Sequence, residues 1–272
     1  MKLFILCLLV SSQAWAFRLS TNINATFADK NVKIFVTSNS TCTQAGISPA
    51  ELLEIAVDGV NKFWNTVPTS SLRLERGGIL NTTNPLFLTG ILCASDSEST
   101  CDVTTSVPAV TDIVIACNNN TTDNFPSASY LGLSAPTVLS GSKIKGSIIL
   151  INDSAASAFS KLSRSEMESV LAHEIGHAIG IGHSNKNEAL MYYKNSDKMH
   201  RLAQDDIDAI SYLYPNKLDG CGLFGGIINF NQKNKNGNNF ILSLIFGLSL
   251  GLLLNFATKH ITRHVKTDRQ LS

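Results

Sequence analysis

The residues best suited to chemistry lie in one short stretch, Leu171-Ala172-His173-Glu174-Ile175-Gly176-His177-Ala178-Ile179-Gly180-Ile181-Gly182-His183. On a helix, residues four apart differ by about 40° around the axis, so His173 and His177 project from one face, one turn apart. Two imidazoles so placed reach a single zinc ion. Glu174 stands about 100° round from His173, wrong for a third ligand on that face but right for the catalytic general base that accepts a proton from a zinc-bound water. A catalytic zinc keeps three protein ligands and one open position. Gly180 and Gly182 let the backbone leave the helix through positive φ and turn back, which delivers His183 as the third ligand. Three neutral imidazoles leave the ion its full charge, lowering the pKa of its water toward ~7 and polarising a peptide carbonyl. Three of the chain's six histidines fall in this motif.

Several elements must position these groups. Ser163-Arg164-Ser165-Glu166 is a capping box and opens a helix that runs to Gly180. Ser48-Pro49-Ala50-Glu51 is another, with proline at the first helical position. Leu52, Leu53, Ile55, Ala56, Val60, Phe63 and Trp64 then recur at helical spacing, which predicts a helix over 49–65. Strands are expected over 32–36, 72–74, 112–117, 130–139 and 144–152. Residues 118–129 form a polar loop, and a last helix over 202–214 is stopped by Pro215. No internal repeat is present.

The two ends differ from this middle. Residues 1–16 carry Lys2, an apolar run over 3–10 and then Ala14-Trp15-Ala16, the pattern of a secretory signal peptide. Residues 240–258 carry no charge and are long enough, at 1.5 Å per residue, to span about 28 Å. The intervening chain divides into a domain over 17–220 and a Gly/Asn-rich tether over 221–239. Lys259, Arg263, Lys266 and Arg269 make 259–272 a basic tail against two lysines in the tether, so the tail faces the cytoplasm and the domain the outside. The tail has two readings, a membrane anchor or a C-terminal sorting signal processed near Cys221-Gly222. The chain has 272 residues, net charge +1, 44% hydrophobic and 16% charged residues. Such a balance and such ends exclude a cytosolic enzyme, a nucleic-acid binder with a basic field and a multi-pass transporter. After residue 16, five cysteines remain, Cys42, Cys93, Cys101, Cys117 and Cys221, and export favours disulfides among them. The four inside the domain allow three pairings.

The histidine motif resembles that of the metzincin zinc endopeptidases, His-Glu-x-x-His-x-x-Gly-x-x-His. Within that clan, Ser184 after the third histidine, Ala189-Leu190-Met191-Tyr192, and Gln204-Asp205-Asp206-Ile207 with Ser211-Tyr212-Leu213-Tyr214 resemble the matrixins. The resemblance is strong over 170–193 and a matter of pattern upstream. It implies an α+β zincin-like fold, a five-stranded mixed sheet with an antiparallel edge strand over the cleft and three helices. It makes Met191 the methionine of the Met-turn, an apolar floor beneath the zinc, with Asp205 and Asp206 bracing that turn. It implies one catalytic zinc on His173, His177 and His183, and protein or peptide substrates that lie extended along the edge strand at 130–139. The family topology sets strands 32–36 and 112–117 side by side, which pairs Cys42 with Cys117 and leaves Cys93 to Cys101, with Cys221 unpaired.

Three departures stand out. The family's inhibitory pro-segment has no room before residue 32, and Cys42 lacks its surrounding pattern. Loop 118–129 contains no histidine for a second, structural zinc; its oxygens could bind calcium, but they read rather as an Asn/Asp turn cluster. Tyr193 stands where the family often has proline, in the wall of the specificity pocket. The reading is a zinc-dependent endopeptidase displayed outside the cell membrane. Its rivals are a catalytically inactive surface binding module of the same fold, and a metzincin outside the matrixins.

Overall fold

The computed structural model describes residues 17–20, 24–92, 104–194, 198 and 201–216, and all of them belong to one compact unit. The expected signal peptide, the tether, the apolar segment at 240–258, the basic tail, Cys93, Cys101 and Cys221 lie outside the described residues. Among the described residues, no helix is long and apolar enough to cross a membrane.

The described elements run β1 (Thr26–Phe27), β2 (Asn31–Thr37), α1 (Pro49–Lys62), β3 (Arg73–Leu80), α2 (Leu86–Thr89), β4 (Asp112–Asn118), β5 (Gly132–Ser140), β6 (Lys143–Asn152), α3 (Arg164–Ala178) and α4 (Gln204–Leu213). Short 3₁₀ turns at Trp64–Thr66 and Phe159–Lys161 complete the order. Ser48 caps α1 by accepting from the Glu51 amide at 3.3 Å, and Glu166 returns to the Ser163 amide at 2.7 Å at the start of α3. Proline at the head of α1 and these caps fix where both helices begin.

The sheet is mostly parallel. Its order is β1-β6-β4-β2-β3, with β5 antiparallel on β6. β4 covers Gly146–Asn152 of β6 and β1 extends the same flank at Lys143 and Ile144, which leaves the other flank to β5. Six strands therefore replace the expected five, because Thr26–Phe27 adds a two-residue strand that its polar surroundings concealed. A fourth helix, the single turn α2, likewise adds to the expected three. The expected strand at 72–74 continues to Leu80, its register shifting by one residue opposite Ile34 and Phe35. That irregularity breaks the period-two pattern by which a strand is read.

Both faces of the sheet are covered. In β4, Ile113, Ile115 and Cys117 enter the main core, with α1, α3 and α4, whereas Val114 and Ala116 face a smaller cluster with Phe87, Phe125, Ile148 and Leu150. Burial on both sides explains the unbroken apolar run Ile148–Ile151, since a strand with one wet face would alternate. α1 lies so close to α3 that a Cβ on Gly59 would stand 2.7 Å from the Glu168 carbonyl oxygen.

Cys42 and Cys117 are joined, their Cα atoms 5.3 Å apart across 75 residues. Parallel pairing of β2 with β4 is what brings them together. Reduction, or Cys42→Ser with Cys117→Ser, is expected to lower stability by about 4 kcal/mol in the chain-entropy model. Urea unfolding with and without reductant measures this, and peptide mapping under non-reducing conditions identifies the bridge.

Candidate active site

The motif occupies the end of α3 and the turn beyond it. α3 stops at Ala178, two residues before Gly180, because the chain already turns at Ile179. Gly180 has φ of 103° and no room for a side chain, since a Cβ there would stand 2.6 Å from the Ala25 carbonyl oxygen. A Cβ on Gly182 would meet the Leu19 carbonyl oxygen at 2.8 Å. Both glycines are thus required by close approach of the N-terminal segment, and Gly180 also by its left-handed backbone.

The turn carries His183 back to His173 and His177. One ligand-capable atom from each of the three lies within 4.8 Å of the others. The Nε2 atoms of His177 and His183 are 3.2 Å apart. Two nitrogens at zinc-ligand distance from one tetrahedral ion would stand about 3.3 Å apart, so this spacing fits such an ion. His173 Nδ1 donates to the Leu190 carbonyl at 2.7 Å, and His177 Nδ1 to the Ile181 carbonyl at 2.8 Å. A proton fixed on Nδ1 leaves the Nε2 lone pair free to bind a metal. Burial, reinforced by His183, pushes His173 down to about 4. Burial also holds His177 well below its ordinary value, with His173 and His183 adding to the effect, and lowers His183, with Arg18 adding to it. At neutral pH all three are uncharged and can donate lone pairs.

Glu174 is buried on the next position of α3, and burial alone pushes its carboxyl up to about 8. Gly132, the first residue of β5, lies directly against it: a Cβ there would stand 3.0 Å from Glu174 Cγ and 3.1 Å from Oε1. A dry carboxyl beside three convergent imidazoles suits the taking and giving of a proton.

Met191 packs beneath α3, where a Cβ on Gly176 would collide with its sulfur and approach Trp64. Trp64 Nε1 donates to the Ala172 carbonyl at 2.7 Å, anchoring the helix one residue before His173. The bracing expected of the acidic pair belongs to Asp206. Its carboxylate accepts from the amides of Leu190 (2.8 Å), Met191 (3.0 Å) and Ala203 (2.8 Å), whereas Asp205 is buried beside it. Burial raises the Asp206 pKa against the lowering effect of these three amides. Tyr193 is exposed at the rim, its ring centroid 6.5 Å from that of His183. In the loop after β4, Asn118, Asn120 and Asn124 spend their amide oxygens on backbone and side-chain donors of that loop and of Leu92. This is the Asn/Asp turn cluster, and the only group of three or more His, Cys, Asp or Glu placed to hold a metal among the described residues is the histidine triad.

The spacing of the motif left several contributors unread. The Leu190 carbonyl, Gly132 and the segment Arg18–Ser20 act through backbone, and no residue type marks such a role.

Residues 102–215 match the family model described as Matrixin. The chain is 42% identical over 59 residues to Metalloendoproteinase 5-MMP of Arabidopsis thaliana, covering 21% of this chain and 16% of that one. It is 56% identical over 48 residues to Matrix metalloproteinase-18 of Xenopus laevis, and 55% over 49 residues to Stromelysin-1 of Mus musculus, in each case over 16% of this chain and 10% of the other. The chain therefore spans only a small part of the length of the curated relatives it matches.

Asp206→Asn removes one acceptor oxygen and sets an N–H₂ group against backbone donors. It is expected to cost about 1–3 kcal/mol for each amide left unpaired. Urea unfolding checks this; a loss below about 0.5 kcal/mol, the size of an ordinary surface change, would show that the carboxylate is no brace.

Proposed function

We infer that this chain, which carries a matrixin-like metzincin catalytic domain, is a zinc-dependent endopeptidase acting on extended protein substrates. The observation that supports this most is the convergence of three neutral imidazoles from a helix turn and a glycine-directed loop beside a buried carboxyl. His173, His177 and His183 would hold the zinc, with Met191 as the apolar floor. Bound there, zinc supplies a Lewis acid that acidifies water and polarises a carbonyl.

The protein's own groups then have separate tasks. Glu174 takes the proton of the attacking water and returns it to the leaving amine. Its high proton affinity in a dry site suits the second transfer, and a nearby cation favours the ionised form needed for the first. β5 pairs with β6 along one side, and among the described residues no strand pairs with its other edge. An extended peptide adds there as a further strand, held by main-chain hydrogen bonds that are largely independent of its sequence. Pro136, opposite Ser147 just before an irregularity in the β5–β6 register, contributes no N–H to the strand. We further propose that residues 240–258 hold the domain outside the membrane, by their length and the basic residues after them.

Glu174→Ala removes the base and no ligand, so it is expected to retain stoichiometric zinc and lose 100-fold or more of turnover, about the range attributed to general acid–base catalysis. His177→Ala is expected to lose the metal as well. Elemental analysis with cleavage of a peptide library checks both. Full zinc occupancy in His177→Ala would overturn the ligand set, and full turnover in Glu174→Ala the mechanism. A wild-type chain that binds zinc yet cleaves nothing would favour a binding module.

A further inference from the structure

His183 differs from the other two histidines in how it is held. His173 and His177 sit on a helix and anchor Nδ1 to carbonyls, but among the described residues no carbonyl accepts from Nδ1 of His183. Its aim therefore depends on the backbone of 179–182. From the helix side, the Gly180 amide donates to His177 and the Ile181 amide to Gly176, at 3.0 and 2.9 Å. From the opposite side, the Ser20 amide donates to Gly180 and the Gly182 amide to Arg18, both at 2.9 Å. Those bonds are all main-chain. Two side chains join them: His177 Nδ1 donates to the Ile181 carbonyl at 2.8 Å, and the Tyr214 hydroxyl, buried at the end of α4, donates to the Ile179 carbonyl at 2.8 Å and accepts from the Phe27 amide at 3.1 Å. The hydroxyl ties the first residue of the turn to β1.

We propose that Tyr214 is a positioning residue for the third metal ligand: by linking the Ile179 carbonyl to the Phe27 amide, its hydroxyl holds the 179–182 turn and so aims His183. This rests on the reading that the three histidines hold zinc. Tyr214 touches neither metal nor substrate. Its effect passes through one carbonyl, four residues before the ligand. Outer-shell groups of this kind typically change metal affinity by about 10–100-fold.

The test uses the full chain. Tyr214→Phe keeps the ring and removes only the hydroxyl. It is expected to release zinc to a chelator about tenfold faster or more, and the cobalt-substituted variant to show shifted visible bands. Ile113→Val, in the β4 core away from the turn, is the control for general destabilisation; it should lower the melting temperature and leave release and spectrum unchanged. Should Tyr214→Phe fail to fold, 3,5-difluorotyrosine at 214 preserves the shape while strengthening the donor and weakening the acceptor. Metal release and cobalt spectrum should then both change. Wild-type release and spectrum in the folded Tyr214 variant would overturn the role of Tyr214 while zinc uptake by the wild type still stands. A wild-type chain that takes up no metal would instead overturn the underlying reading, and this role with it.

Discussion

The hydrogen bonds from imidazole Nδ1 to backbone carbonyls are the constraint from which the site follows. A histidine free to rotate offers either nitrogen and loses side-chain entropy on binding, whereas one tied at Nδ1 presents Nε2 already aimed. His173 is tied to Leu190 and His177 to Ile181. Each carbonyl must itself be held still. The Ile181 amide returns to Gly176 of α3, and the Leu190 amide is fixed by Asp206 on α4, so the first two imidazoles are oriented by two different helices.

These supports place polar groups where burial penalises them. Asp206 loses hydration and regains part of it through three amides; Glu174 loses hydration and faces Gly132, with no side chain there to crowd it. Stability alone would replace such carboxyls with apolar side chains of similar volume. Buried carboxyls in and around a triad of histidines are the pattern expected of a functional site. The surrounding sheet meets the cost by burying both of its faces, one against three helices and the other against the Phe87 and Phe125 cluster.

Legibility in the sequence followed the range of the forces involved. The motif, both capped helices and β2, β4 and β6 rest on local signals: ligand spacing, cap chemistry and apolar runs. Tyr214 was readable as the end of a helix. Its contact with Ile179, 35 residues earlier, was not, because a hydroxyl serving two backbone groups looks like any other tyrosine. The same holds for Thr26–Phe27, which has no strand character apart from its partner Lys143–Ile144. β3 runs on past the expected 72–74 because pairing with β2 carries it through Gly77 and Gly78, residues of low strand propensity, at an irregularity.

The segment at Arg18–Ser20 crosses the 179–182 turn, and the Phe17 ring rests 5.3 Å from that of Tyr212. Short peripheral segments generally open locally at little free-energy cost. Here such opening would strip two hydrogen bonds from the loop that carries His183. If the triad holds a metal as proposed, linkage makes the relation mutual: whatever affinity the triad gains when this segment is docked, the segment gains in protection when the triad is filled. On the proposed zinc site, amide exchange at Ser20 and Gly182 would therefore report metal occupancy from outside the three histidines, and a protease that trims the segment would act on the metal without touching any of them.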